Sequence, residues 1–84
     1  MTSKNLETEA RLRKEINKWT KKIEKEIKKV KLNDKTKKRL LDNIHAYIKD
    51  SKYFMNKGEL IRSFEAIVWA WSWLEILKEL GVLK

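Results

Sequence analysis

Residues 44–81 read IHAYIKDSKYFMNKGELIRSFEAIVWAWSWLEILKELG, and this stretch decides the fold. It holds both glycines of the chain, Gly58 and Gly81, and the whole chain has no proline. Before Gly58, the positions Ile44, Tyr47, Ile48, Ser51, Phe54 and Met55 return at steps of three and four, the period of one helix face. Lys57-Gly58 then offers a left-handed cap, and Glu59 sets negative charge at the positive end of a following helix. The strongly apolar run beyond it ends at Leu80, before Gly81. The stretch predicts a helical hairpin, with helix 2 over about 34–57 and helix 3 over about 59–80.

Upstream, Leu12, Ile16, Trp19, Ile23, Ile27 and Val30 recur at the same period and predict helix 1 over about 6–30. The rhythm lapses at Lys31 to Asn33, where Asn33 or Asp34 supplies a capping oxygen for helix 2, whose apolar stripe begins at Leu40 and Leu41. Three helices of roughly 33 to 38 Å joined by short connections must run antiparallel to their neighbours. The expected fold is all-α: a three-helix antiparallel up-down-up bundle forming one domain, 1–84.

Composition agrees with one compact unit. The chain has 84 residues, 42% of them apolar, which is enough for a small core. It has no cysteine, which removes disulfides, thiolate nucleophiles and cysteine zinc sites. The longest apolar run, Ala66 to Leu74, is broken by Ser72 and falls far short of the roughly 20 residues that span a bilayer. Met1 to Ala10 carries Glu7 and Glu9 and lacks the apolar run of a signal peptide, so the expectation is a cytoplasmic protein without a membrane partner. The net charge of +9 is unevenly spread: residues 1–42 hold 15 Lys/Arg against 7 Asp/Glu, and residues 43–84 hold 6 against 5. Abundant Lys, Glu and Ile without Cys or Pro is also the composition of a thermophile's surface.

Within the hairpin, Tyr47, Ser51, Phe54, Ser63, Ile67 and Ala70 stand at the spacings of one tetratricopeptide-type unit, with small residues where two helices cross closely. One such unit cannot stack into a solenoid, so a tight hairpin covered by helix 1 is expected. Tyr47, Asp50-Ser51, Phe54, Lys57-Gly58-Glu59, Ser63-Phe64-Glu65-Ala66, Trp69-Ala70, Trp73-Leu74-Glu75 and Leu80-Gly81 together resemble the archaeal domain of unknown function 357, over roughly residues 44–83. The resemblance implies a small archaeal cytoplasmic helical bundle with no established activity. Where that pattern has Ala after the Asp, this chain has Ser51, which keeps the position small.

Helix 3 carries more apolar circumference than one face needs. On a wheel, Leu60, Phe64, Ile67, Trp71 and Leu74 form one seam, and Trp69, Trp73, Ile76 and Leu80 form another well over 100° away. Two seams need two partners. Either helices 1 and 2 take one each, or Trp69, Trp73, Ile76 and Leu80 form a protein interface, most simply a homodimer, with the tryptophans as stiff anchors. Helix 1 displays Lys14, Lys18, Lys21, Lys22, Lys25, Lys28 and Lys29 within an arc of about 120°, opposite its apolar stripe. This row is either a solvated face or a set of phosphate contacts for nucleic acid, although no aromatic is expected among the lysines on that face to stack bases.

Equipment for catalysis is sparse. With one histidine, His45, and no cysteine, the chain shows neither an activated nucleophile nor a clustered metal-ligand set, so no enzyme, metal or cofactor is expected. Arg39 and His45 resemble the Arg-to-His spacing of the helical HEPN ribonucleases, which implies charge stabilisation during RNA cleavage, yet on one helix the two side chains diverge by about 120°. Asp50 and Glu65 form no evident acid/base pair and are expected to cap helix termini or to pair with Lys57 or Arg62.

Overall fold

The computed structural model describes residues 3–84, with side chains from Leu6 onward. Three helices run up, down and up: α1 (Ser3–Lys29), α2 (Lys38–Asn56) and α3 (Leu60–Glu79), with a single 3-10 turn at Lys35–Lys37 leading into α2. The expected all-α bundle is therefore the observed one. At 27 residues α1 is about 40 Å long and outruns the 19 and 20 residues of α2 and α3. The body is accordingly drawn out, 51 × 17 × 17 Å.

Both glycines close their helices as the sequence requires. Gly58 has φ +76° and Gly81 has φ +75°, the left-handed conformation that costs glycine nothing and other residues roughly 1–2 kcal/mol. Gly58 N–H donates to Met55 O (3.0 Å) and Glu59 N–H to Phe54 O (2.9 Å). At the end of α3 the pattern repeats, with Gly81 N–H on Lys78 O (3.1 Å) and Val82 N–H on Leu77 O (2.9 Å). These paired bonds satisfy carbonyls that the last helical turn leaves orphaned.

The α2–α3 hairpin is held by small residues. Ser51 and Ser63 are fully buried and exchange hydroxyl bonds across the crossing: Ser51 Oγ–H donates to Ser63 O at 2.8 Å, and Ser63 Oγ–H donates to Ser51 O at 2.7 Å. Ala66 and Ala70 continue the same buried edge of α3. Ser51 thus contributes a hydrogen bond as well as small size.

On its other side α3 meets α1. The Trp19 and Trp71 rings pack edge to face, 5.7 Å between centroids, and Trp71 Nε1–H donates to the Trp19 carbonyl at 3.1 Å. Ile16, Ile23, Ile44, Ile67, Leu74 and Leu77 fill the centre. Lys52 reaches from α2 to Glu24 of α1 at 2.7 Å, over a shallow groove that separates the two helices.

Three features depart from the expected layout. Helix 2 begins at Lys38 rather than about 34, because Asp34 caps the preceding 3-10 turn instead, accepting from the Thr36 amide (2.9 Å) and hydroxyl (2.6 Å). The Thr36 hydroxyl first, then its amide, holds the Asp34 carboxyl below its ordinary value of 3.8. The expected seam of Leu60, Phe64, Ile67, Trp71 and Leu74 is the second departure: Phe64 is exposed, while Ser63, Ala66, Ala70 and Leu77 line the core. The helices approach most closely where side chains are small, and a hydrophobicity wheel gives such positions little weight. Third, the chain does not stop at α3. Val82–Lys84 turns back beside the α1–α2 connection, with Lys31 N–H on Lys84 O (2.8 Å), Lys84 N–H on Lys31 O (2.9 Å) and Asn33 N–H on Val82 O (2.9 Å). Asn33 Nδ2 adds a bond to Gly81 O at 2.7 Å.

This strap inserts Leu83 fully into the core beside Ile23, Ile44 and Leu77. Leu83→Ala is expected to lose about 2–4 kcal/mol of stability in urea unfolding followed by circular dichroism. A loss below about 0.5 kcal/mol, the range of ordinary surface changes, would show that the strap is not part of the cooperative core.

Candidate functional site

With Ser63, Ala66 and Ala70 turned to α2, and Ile67 and Trp71 turned to α1, the remaining arc of α3 faces away from both. It carries Ile61 (73% exposed), Val68 (44%), Trp69 (55%), Ile76 (45%) and Leu80 (70%). At 3.6 residues per turn these five lie within roughly 120°, with Glu65 and Ser72 between them. The Ser72 hydroxyl donates to Val68 O in its own helix at 2.8 Å and so asks little of a neighbour. Shallow hollows beside it are lined by Phe64, Val68, Trp69 and Ser72 on one side and by Trp19, Ile67 and Trp71 on the other. Large apolar side chains grouped on one face in this way mark contact surfaces, whereas scattered ones do not.

The sequence-derived interface set divides here. Trp69, Ile76 and Leu80 lie on the outward face, Trp69 with its ring stacked on Tyr47 at 6.4 Å. Trp73 is partly buried and packs against the core cluster, so it belongs more to the bundle than to the surface. Ile61 and Val68 join the face although neither was in the expected seam. Their signal was present, since they precede Trp69 and Ile76 by about two turns, but the two-seam division split them off.

The lysine row of α1 is exposed along its length. Lys18 pairs with Glu15 at 3.7 Å; Lys14, Lys21, Lys25, Lys28 and Lys29 have no ion-pair partner among the described residues. One expectation is corrected. An aromatic does lie among these lysines in space: the Trp19 ring carries the Lys22 ammonium 4.7 Å from its centroid and that of Lys18 at 5.3 Å. These cation–π contacts tie one edge of the row to the α1–α3 seam.

Nothing assembles around the other candidates. Arg39 and His45 are both exposed, and His45 shares a groove with Glu24, Ile27, Lys28, Ile48, Lys49 and Lys52, which does not include Arg39. Arg62 pairs with Glu59 at 3.9 Å and lies over the Phe54 ring, and Lys57 lies over Tyr53, so neither takes the expected carboxylate, Asp50 or Glu65. Among the described residues no three His, Asp or Glu side chains are grouped to hold a metal, and no helix is long and apolar enough to cross a membrane.

The proteins of unknown function DUF357 match residues 14–83, well over half of the chain. The chain belongs to the DUF357 family. A crystal structure of another DUF357 protein, AF1782 from Archaeoglobus fulgidus, is similar over 92% of this chain and 96% of that one, at 45% identity and a TM-score of 0.82. Among curated proteins none matches. The DUF357 match spans the hairpin, its caps and α1 from Lys14 onward.

The different settings of the two tryptophans give a direct check on the α3 surface. In solutions dilute enough that copies do not associate, Trp69→Glu is expected to change unfolding stability by no more than about 1.5 kcal/mol, the worth of its aromatic stack. Trp73→Glu, which places a charge against the core, is expected to cost about 3 kcal/mol or more. Equal losses in urea titrations of the two variants would contradict the division.

Proposed function

We propose that this DUF357 protein is a non-enzymatic helical interaction module that pairs with a second copy through the outward face of α3. The carrying observation is that five large apolar residues, Ile61, Val68, Trp69, Ile76 and Leu80, stay exposed on one face, with Tyr47 of α2 stacked against part of the Trp69 ring. With Phe64, their exposed surface is on the order of 600 Å², against about 800 Å² contributed by each partner in a standard interface. That is large for a helix of 20 residues. Burial at roughly 25 cal/mol per Å² supplies the drive, and the rigid Trp69 ring loses little freedom on docking. A second copy is the simplest occupant, because a patch that meets itself needs no other partner.

A second reading rests on the lysine row. Five unpaired lysines on one exposed face of a +9 chain can track the phosphates of a nucleic acid. That contact is electrostatic, so it weakens steeply as salt rises, while apolar pairing does not. A cytoplasmic location is part of the same proposal.

Light scattering separates the readings. The native protein is expected to have twice the chain mass of 10.1 kDa in both 0.1 M and 1 M salt. Ile76→Glu is expected to give a monomer of unchanged helical content. A native monomer at concentrations approaching millimolar would overturn the pairing proposal.

A further inference from the structure

The outward face of α3 also constrains how a second copy seats, an inference that rests on the pairing proposed above. Glu65 lies near the middle of the face and Glu79 on the same exposed side, both without an ion-pair partner among the described residues. A parallel pair, related by a two-fold axis along the helices, brings every residue level with its own copy. Glu65 would then meet Glu65, and Glu79 would meet Glu79, inside a contact from which water is being removed. Like charges brought together without partners are costly there, and the two helix dipoles would also lie side by side in the same direction.

An antiparallel pair removes both penalties. The apolar face runs from Ile61 to Leu80, and full overlap puts the two-fold axis level with its midpoint, between Ala70 and Trp71. Each Glu65 then stands level with the other copy's Ile76, about eleven residues or roughly 16 Å from the other Glu65. Trp69 stands level with Ser72 of the second copy, a large ring beside a small side chain, twice over by symmetry.

The same operation has a consequence for the basic surface. A two-fold axis perpendicular to the paired α3 helices keeps each flank of the interface on its own side. α1 packs on the flank of α3 marked by Trp71 and Lys78, which bonds Glu26 of α1 at 3.7 Å, while α2 packs on the flank marked by Ser63 and by the Tyr47-stacked side of Trp69. We infer that the second copy seats antiparallel on the first, with its axis between Ala70 and Trp71, and that this sets the α1 lysine rows of both copies on one side of the pair. A single broad basic face results, which a parallel pair would divide between opposite sides. A phosphate backbone would then meet two lysine rows at once.

Spin labelling tests the arrangement directly, because the chain has no cysteine and each label site is unique. Arg62→Cys and Glu79→Cys, each labelled and measured by pulsed dipolar spectroscopy in the full-length chain, are expected to show label separations of about 25–35 Å, equal within about 5 Å at the two sites. Equality locates the axis midway between them. Separations under about 15 Å at both sites would mean a parallel pair, since packed helix axes lie only 8–10 Å apart. Clearly unequal separations would move the axis. Either result overturns this inference while leaving self-pairing intact, whereas a monomeric mass with no dipolar signal overturns both.

Discussion

A reciprocal pair of hydroxyl bonds between Ser51 and Ser63 ties α2 to α3, and the rest of the architecture follows from how near it draws the two helices. A hydroxyl can reach the other helix's carbonyl only if neither helix presents a larger side chain at that level. Small residues therefore occupy the α2-facing edge of α3, at Ser63, Ala66 and Ala70. Each fully made hydrogen bond contributes only about 1 kcal/mol net, but leaving such a buried group unpaired would cost more, which fixes the register of the crossing.

Giving that edge to small residues decides where the large ones go. α3 is apolar around most of its circumference, and its small edge meets α2 without using Ile76 or Leu80, while Trp69 stacks on Tyr47 of α2 and still stays 55% exposed. α1 takes Ile67 and Trp71 and adds the Trp19 edge-to-face contact. What remains is an uncovered arc of aliphatic and aromatic side chains. The surplus thus comes from tight packing elsewhere in the bundle, and it leaves the exposed face on which the pairing proposal rests. The lysine row of α1 is different in kind: it is exposed along its length, and Lys18 and Lys22 join it to the α1–α3 seam by sitting over Trp19.

The fold was readable because its determinants are local and periodic. The stripe of α1, the Gly58 and Gly81 caps and the small-residue spacing of the hairpin each carry a signal within a few turns, and together they bring the family resemblance with them. What the sequence hid depends on tertiary arrangement. The Val82–Lys84 strap is too short to show a period, and its pairing partner lies some fifty residues upstream, at Lys31 and Asn33. The wheel found two apolar seams on α3, but it could not show that the buried edge would be built from serine and alanine. So it grouped Trp73 with Trp69, Ile76 and Leu80 in a seam that either a neighbouring helix or a partner could cover, left Ile61 and Val68 out, and joined Phe64 to the other seam. Trp19 escaped notice among the lysines because an adjacent aromatic on a helix is read as part of the apolar stripe, although its ring is broad enough to serve both.

The central claim, that the outward face of α3 is where two copies meet, is tested most directly by following side-chain resonances as the native protein is diluted. Methyl and indole signals of Ile61, Val68, Trp69, Ile76 and Leu80 should move together along one concentration-dependent curve, while signals of the α1–α2 groove, such as Ile27 and Met55, stay fixed. Signals that do not move over the whole range, or movements confined to α1, would contradict it.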